Sequence, residues 1–460
     1  MSDEAPATRL STFQKFSYGL ADIPILFVLM PMSIWMSRFY TGDMGMAIST
    51  VANIILITGL LDVVTDPIMG YLSDKTRTRW GRRKPWIAAS IPVLMIGIYK
   101  VFMPPEDVSA LYLFGWLTVM WLGWTMLMIP YYAWAAELSD NYDERTSITG
   151  WRAAMGSVGQ IMAQAIPLVA LWAFSFGGTA NVMWMLGIGG FCMVPICVGF
   201  TLGTVGERKN VRSSIIPLFA GLRLMLKNGP FLRLVIAFSV TYIGLSISMP
   251  LYVFFVEFVL ERNPGDVVYM LAFATTSSLL GVPIWIAASK RFGKHKAWIC
   301  GFTVVSLVSP MYLFLGAGDF WWMVPGIVLI GMSTASFQVL PNSMKADVID
   351  LDTARSGESR AALFFSAWSL AQKLASRIGG WLALQMLAVF GFDAANGADN
   401  TDDALLGLRL GFSMLPVVFY LLAGIIVWKY PITKERQERI RTAIDRRDAR
   451  RRESAAAAGE

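Results

Sequence analysis

Apolar runs of about twenty residues recur from one end of this chain to the other, and that recurrence limits its fold more than any other feature. A helix rises about 1.5 Å per residue, so some twenty residues cross a hydrocarbon layer of about 30 Å. The runs predict helices at 16–40, 45–72, 86–103, 109–138, 146–173, 182–204, 232–260, 267–289, 297–317, 320–344, 361–391 and 405–429. In lipid every backbone N–H and C=O must find a partner within the protein, and a helix meets that demand inside one segment. Prolines within the runs, such as Pro31, Pro130 and Pro416, are compatible with this, because neighbouring helices re-satisfy the freed groups. Of 460 residues, 55% are hydrophobic and only 15% charged, too few charges to coat a soluble globule. The expected fold class is an all-α membrane protein with about twelve transmembrane helices. The first run is too long for a cleaved signal peptide and lacks a small-residue cleavage site, so it is read as a span.

Lysine and arginine sort the connecting loops into two sets. Lys75, Arg77, Arg79, Arg82, Arg83 and Lys84 follow the second run, and Arg208, Lys209, Arg212, Arg223, Lys227 and Arg233 follow the sixth. Lys290, Arg291, Lys294 and Lys296 follow the eighth, and the segment after Tyr430 is rich in arginine. The other loops carry Glu106, Asp107, Asp319, Asp393 and Asp402 instead. Basic loops stay in the cytoplasm, so a multi-pass inner-membrane protein with both termini cytoplasmic is expected. These loops account for the net charge of +7, and no nucleic-acid partner is expected. Cys192, Cys197 and Cys300 lie in or beside apolar runs, as small hydrophobes do. The chain has no phosphate-cradling glycine loop, metal-ligand cluster or Ser/His/Asp grouping, and its one histidine, His295, sits in a basic loop. Neither an enzyme nor a metal or organic cofactor is expected.

Two stretches occur twice. Pro67–Ile87 and Pro283–Ile299 both read Pro-Ile, a serine six residues on, basic residues, an aromatic-Gly pair, more basic residues and Trp-Ile. Ala136–Thr146 and Ala346–Ser356 both read Ala-acid-aliphatic, then Asp, then Arg followed by a hydroxyl residue. The offsets agree at roughly 210–216 residues, which predicts two six-helix pseudo-repeats related by an axis along the membrane normal, the arrangement of major facilitator transporters. The expected division is an N-terminal bundle over 1–206, a cytoplasmic linker over 207–231, a C-terminal bundle over 232–430 and a basic cytoplasmic tail over 431–460. Leu218, Phe219, Leu222 and Leu226 in the linker have the spacing of an amphipathic surface helix.

Charges inside spans are functional candidates, because even the mildest scale puts each at roughly 2.5–3.5 kcal/mol at mid-bilayer. Asp62 and Asp66, four residues apart in the second run, project from one helix face with a rise of about 6 Å. Such acids repel unless a proton, a cation or a base answers them. Lys373 in the eleventh run, with Arg377 one turn on, supplies a base. The set reads either as a cation-coupling site or as an ion-pair lock between the halves. Asp22 reads as a functional acid or as a packing hydrogen bond, and Arg152 in the fifth run as a substrate contact. Arg38, Lys100 and Glu257 lie near run ends and are expected to snorkel to the headgroups. On the cytoplasmic side, Asp74 with Arg82, Asp140 and Asp143 with Arg145, and Asp350 and Asp352 with Arg355 form acid–arginine clusters. These read as gates that form in one state and break in another, or else as solvated loop charges.

Asp62-Val-Val-Thr-Asp66-Pro-Ile-Met-Gly, followed by Asp74 and Arg79-Trp-Gly-Arg-Arg-Lys-Pro-Trp, resembles the signature of the glycoside–pentoside–hexuronide:cation symporters, the melibiose-permease branch of the major facilitator superfamily. Ala346-Asp-Val-Ile-Asp350 with Gly357-Glu358 and the closing Tyr430-Pro-Ile-Thr-Lys-Glu-Arg are similar to further stretches of that family, so the resemblance covers nearly the whole chain. It implies a cation site of Asp62, Asp66, Thr125 and Lys373, beside which Thr65 offers a further hydroxyl, while Met128 stands where the family has a fourth-helix aspartate. It implies that Arg152 touches solute, and it aligns the family's two stacking tryptophans with Tyr132 and Gln338. The family's sugar-gripping acid falls on Leu26. The cation half of the family pattern is thus largely kept and the sugar half largely changed.

The expectation is a secondary active symporter taking up a glycoside or uronide by alternating access. Substrate contacts are expected at Asp22, Tyr132, Arg152, Gln338 and Arg377. One charge crossing 100 mV supplies roughly 2.3 kcal/mol, about fifty-fold accumulation, so a single H⁺ or Na⁺ suffices. The thioether of Met128 is a poor ligand for a hard cation, and two close carboxylates raise one pKa, which favours H⁺. The competing expectations are a lysolipid or other amphipathic cargo, suited by Leu26 and Met128, and a receptor without coupling. Expected partners are the solute, the coupling cation and the lipid bilayer, with the chain acting as a monomer.

Overall fold

The computed structural model describes residues 10–139, 141–174, 178–207, 228–356, 361–395 and 399–432, with 436, 437, 439 and 442 beyond them. Among the described residues the architecture is all-helical, apart from an isolated bridge between Thr78 and Gly81. Ten helices are long and apolar enough to cross a membrane. They are α1 (Thr12–Ile34), α2 (Ile48–Lys75), α3 (Lys84–Phe102), α4 (Ala110–Glu137), α6 (Thr179–Thr204), α7 (Gly229–Val259), α8 (Pro264–Phe292), α9 (Lys294–Phe314), α10 (Phe320–Ser356) and α12 (Asp402–Trp428). Two more polar helices, α5 (Tyr142–Phe174) and α11 (Ala361–Val389), occupy the fifth and eleventh expected positions. Most of the expected linker and tail lies outside the described residues, as do Asp140 and the Gly357-Glu358 pair.

Helix starts follow local chemistry. Ser11 accepts from the Gln14 amide while the Gln14 side chain accepts from Ser11, a reciprocal cap that opens α1. Ser109 caps α4 through the Tyr112 amide. At α3 the cap comes from far along the chain. The Glu207 carboxylate accepts from the backbone amides of Arg82, Arg83 and Lys84 at 2.7–3.2 Å, where the helix dipole favours negative charge. Gly81, at φ +113, leaves it room: a Cβ there would lie 2.1 Å from a Glu207 oxygen.

The chain forms two compact units. The first holds the chain up to Ser214 together with Met249–Tyr269 and Gly380–Leu408. In it α3 packs along α4 through Gly97, whose Cβ would stand 2.7 Å from the Met120 Cα. Such small residues bring membrane helices close enough for van der Waals packing to hold them. The second unit holds Ile215–Ser248, Met270–Gly379 and the chain from Arg409. Its core is aromatic, with Trp298, Phe302, Phe337 and Tyr420 among the buried rings.

Candidate functional site

In the first unit the hydroxyl of Thr125 on α4 lies 2.7 Å from Asp62 Oδ1 and 3.3 Å from Asp66 Oδ1, so both α2 acids converge on one oxygen. Asp62 is 2% exposed and Thr125 fully buried; Asp66 is half-buried. The four-residue spacing read from the sequence thus places both acids toward α4, and Thr125 supplies the donor. Thr65 differs from the expected ligand geometry. Its hydroxyl donates to the Asp62 backbone carbonyl at 3.1 Å, the back-bonding that a helical threonine favours. Lys373 and Arg377 lie half-buried on α11 in the second unit, and Gln338 is exposed on α10.

Asp22, Tyr132 and Arg152 meet in a second cluster of the same unit. The Asp22 carboxylate, 5% exposed, accepts from Arg152 Nε at 2.9 Å and Nη2 at 3.4 Å, and from the Tyr131 hydroxyl at 2.7 Å. The Arg152 guanidinium lies 4.0 Å from the centroid of the Tyr132 ring, a cation–π contact on a ring that is 38% exposed. Tyr18 and Tyr131 stack and exchange hydroxyl-to-carbonyl hydrogen bonds beneath the pair. Close crossing of α1 and α5 makes the cluster possible: a Cβ on Gly159 would be 2.1 Å from the Ile23 carbonyl oxygen. Of the two readings of Asp22, a packing hydrogen bond is too small a description, because the acid neutralises a nearly buried guanidinium. Tyr131 was not anticipated; only its position beside Tyr132 hinted at it.

The basic loop after α2 is wired differently from its expected pairing. Asp74 pairs with Arg83, while Arg82 reaches Glu137 at 2.8 Å. Arg83 also binds Glu137, at 2.7 Å, and donates to Ser73. Burial alone would lower the Arg83 guanidinium, but the Glu137 and Asp74 carboxylates outweigh it and hold it above its ordinary value. Adjacent arginines in a turn point apart, and the sequence does not fix which one faces inward. In the second unit Lys294 holds Asp347 at 2.6 Å. Glu137 and Asp347 both follow the repeated alanine, so each copy of the repeat ties that acid to the basic loop of its own unit. The repeat carried this signal, although the acids read from it as gates were later ones. Of those, Arg145 donates to the Ser139 carbonyl at 2.5 Å, Asp350 and Asp352 are half-buried and Arg355 is exposed. Asp143 lies on α5, and its side chain falls outside what is described. Next to it Glu144 accepts from Ser139 and the Leu10 amide and pairs with Lys15 at 3.4 Å.

At the ends away from the basic loops, Arg38 and Glu257 do not snorkel. Arg38 is 1% exposed, and its Nε and Nη2 grip both Glu257 oxygens at 2.5 Å, with the Phe258 ring 5.6 Å away. Glycine at 42 gives it room, since a Cβ there would sit 1.3 Å from Arg38 Nη1. Close by in sequence, Asn53 Oδ1 accepts from Trp381 Nε1 at 2.9 Å and Gln385 Nε2 at 3.0 Å. A buried pair between residues 219 apart satisfies both charges better than headgroups reach them. Lys100 remains half-buried against Tyr99 and Trp116.

Known proteins resemble this chain in sequence and in fold. The chain is 23% identical to an isoprimeverose transporter of Lactiplantibacillus pentosus, over 94% of this chain and 93% of that one. It is 26% identical to the sodium-dependent lysophosphatidylcholine symporter 1 of Gallus gallus, over 95% and 89%. Its fold matches the crystal structure of a nucleoside transporter with a TM-score of 0.67 at 14% identity, covering 91% of this chain and 99% of that one. The model of the family described as MFS/sugar transport protein matches residues 17–434, and the chain is therefore a multi-pass membrane transport protein belonging to that family.

Proposed function

We propose that this protein is a cation-coupled symporter of a sugar-like solute, a glycoside or uronide, working by alternating access. The observation that carries the reading is the convergence of Asp62 and Asp66 on the buried Thr125 hydroxyl. Membership of a sugar-transport family and the similarity to an isoprimeverose transporter support the solute class. Cation coupling is assigned to Asp62, Asp66, Thr125 and Lys373, with Thr65 acting through the Asp62 backbone, and H⁺ is the ion they suit better, because Met128 adds no hard oxygen. Asp22, Tyr132, Arg152, Gln338 and Arg377 contact solute. Twelve spans, divided 1–206 and 232–430, place the termini and the 207–231 linker in the cytoplasm and the Arg38–Glu257 pair at the outer face of an inner membrane. Asp74, Arg82, Asp140, Asp143, Arg145, Asp350, Asp352 and Arg355, together with Arg83, Glu137 and Asp347, gate the inner side. The chain works as a monomer.

Reconstituted vesicles test the coupling. Glycoside uptake driven by an imposed pH gradient is expected; uptake that follows Na⁺ at constant pH and ignores the proton gradient overturns the choice of ion. Reporter fusions at 220 and 440 test the topology, and outer-side signals refute it. Leu26 and Met128, with the lysophosphatidylcholine relative, support an amphipathic cargo less strongly, and uptake of lysolipid without any glycoside would decide for it.

A further inference from the structure

In the second unit the cation Lys345 is buried with no counter-charge among the described residues. Lys345 on α10 is 5% exposed, and among the described residues its ammonium donates to Asn342 Oδ1 at 2.9 Å. Two aromatic faces of α11 flank it, with the Phe365 centroid 4.2 Å and the Trp368 centroid 4.8 Å from Nζ. Among the described residues no carboxylate pairs with it, and the acid nearest in sequence, Asp347, is held by Lys294 through both oxygens. An ammonium has three donors, so the site leaves it two beyond Asn342. Aromatic faces and one amide oxygen offset the burial only in part, a deficit that an anion would make good.

The placement suits a solute. Gln338, Asn342 and Lys345 share one face of α10, and side chains lean toward a helix N-terminus, which draws the Lys345 ammonium up beside Asn342 and toward Gln338. Gln338 and Asn342 are exposed, and Phe365 is 54% exposed, so a sugar ring has a polar edge and an apolar face beside the ammonium. Arg152 is a weaker anion receptor than the sequence suggests, because Asp22 already neutralises it. We propose that Lys345 is a specificity-determining residue of the transporter, pairing with the carboxylate of an acidic sugar that is carried in preference to its neutral counterpart. This rests on the sugar-transport reading and narrows it.

The test uses full-length protein in zwitterionic nanodiscs and two matched probe pairs, nitrophenyl glucuronide with glucoside and nitrophenyl galacturonide with galactoside. The members of each pair differ only in carboxylate against hydroxymethyl, and binding is read by calorimetry. One acid is expected to bind at least about tenfold tighter than its neutral partner, with Lys345→Gln bringing the two within about twofold by weakening the acid alone. Lys345→Arg is expected to keep the preference. Neutral sugars binding as well as acids, or a preference that survives Lys345→Gln, overturns the proposal and leaves the sugar reading standing. If no probe binds, both fall. Should Lys345→Gln lose neutral binding as well, Lys345→Arg decides: a kept preference supports the proposal, and a lost preference with neutral binding intact overturns it. Added phosphatidylglycerol that displaces the acid from wild type would make the site one for lipid headgroups and overturn the proposal too.

Discussion

If the Arg38–Glu257 pair latches the outer face, as proposed above, Glu257→Gln should release it. The substitution keeps the shape but leaves the Arg38 guanidinium buried beside a neutral amide, with one of its two 2.5 Å bonds lost and the other made to an uncharged oxygen. Removing one partner of a buried pair costs about 3–5 kcal/mol, and the lower end applies because the Glu257 side chain is 19% exposed. At about 1.36 kcal/mol per factor of ten, the balance between closed and open outer faces shifts by roughly a hundredfold. Ala394 reports on it. It is 3% exposed, and its carbonyl lies 2.6 Å from where a Gly42 Cβ would be. In a background with Cys192, Cys197 and Cys300 replaced, Ala394→Cys should react with an impermeant maleimide faster by up to that factor once Glu257→Gln is added. Adding Arg38→Gln as well should slow the reaction again, because no unpaired charge remains buried. A labelling rate unchanged by Glu257→Gln, or one that rises further in the double variant, would refute the latch.

Asp62→Asn is expected to abolish accumulation of glycoside against a gradient while leaving glycoside binding measurable; a variant that still concentrates solute removes Asp62 from the coupling site. Arg152→Lys should lower uptake at least about tenfold, since an ammonium cannot grip Asp22 through two nitrogens and cover Tyr132 at once, and normal uptake would end the proposed role. Gly159→Val, by forcing α1 from α5, should lower the thermal midpoint of the purified protein by an amount equivalent to about 1–3 kcal/mol, and an unchanged midpoint contradicts the close crossing.

The helices were legible because lipid demands long apolar segments, and α5 and α11 were found at their expected places although both carry charge. The acid pair on α2 was legible because helical periodicity puts Asp62 and Asp66 on one face, but which neighbour answers them depends on packing. Arg38 and Glu257 were misread for a related reason. Each looks like a solvated end of its own span, and only the folded chain brings together residues 219 apart. Arg82 and Arg83 show the finer limit, since a turn with glycine at φ +113 chooses between neighbours by geometry that composition does not carry. Lys345 was passed over entirely, because a lysine near a span end reads as an anchor until its burial against Phe365 and Trp368 is seen.

The Glu207 cap ties the chain just beyond α6 to the start of α3. A tether pulled from beyond Glu207 would be felt first at the backbone of residues 82–84, next to the arginines that hold Asp74 and Glu137, rather than along the length of α6. A protease cut or an inserted reporter just after Glu207 therefore leaves the first unit's inner loop anchored. The same insertion placed a few residues earlier detaches it.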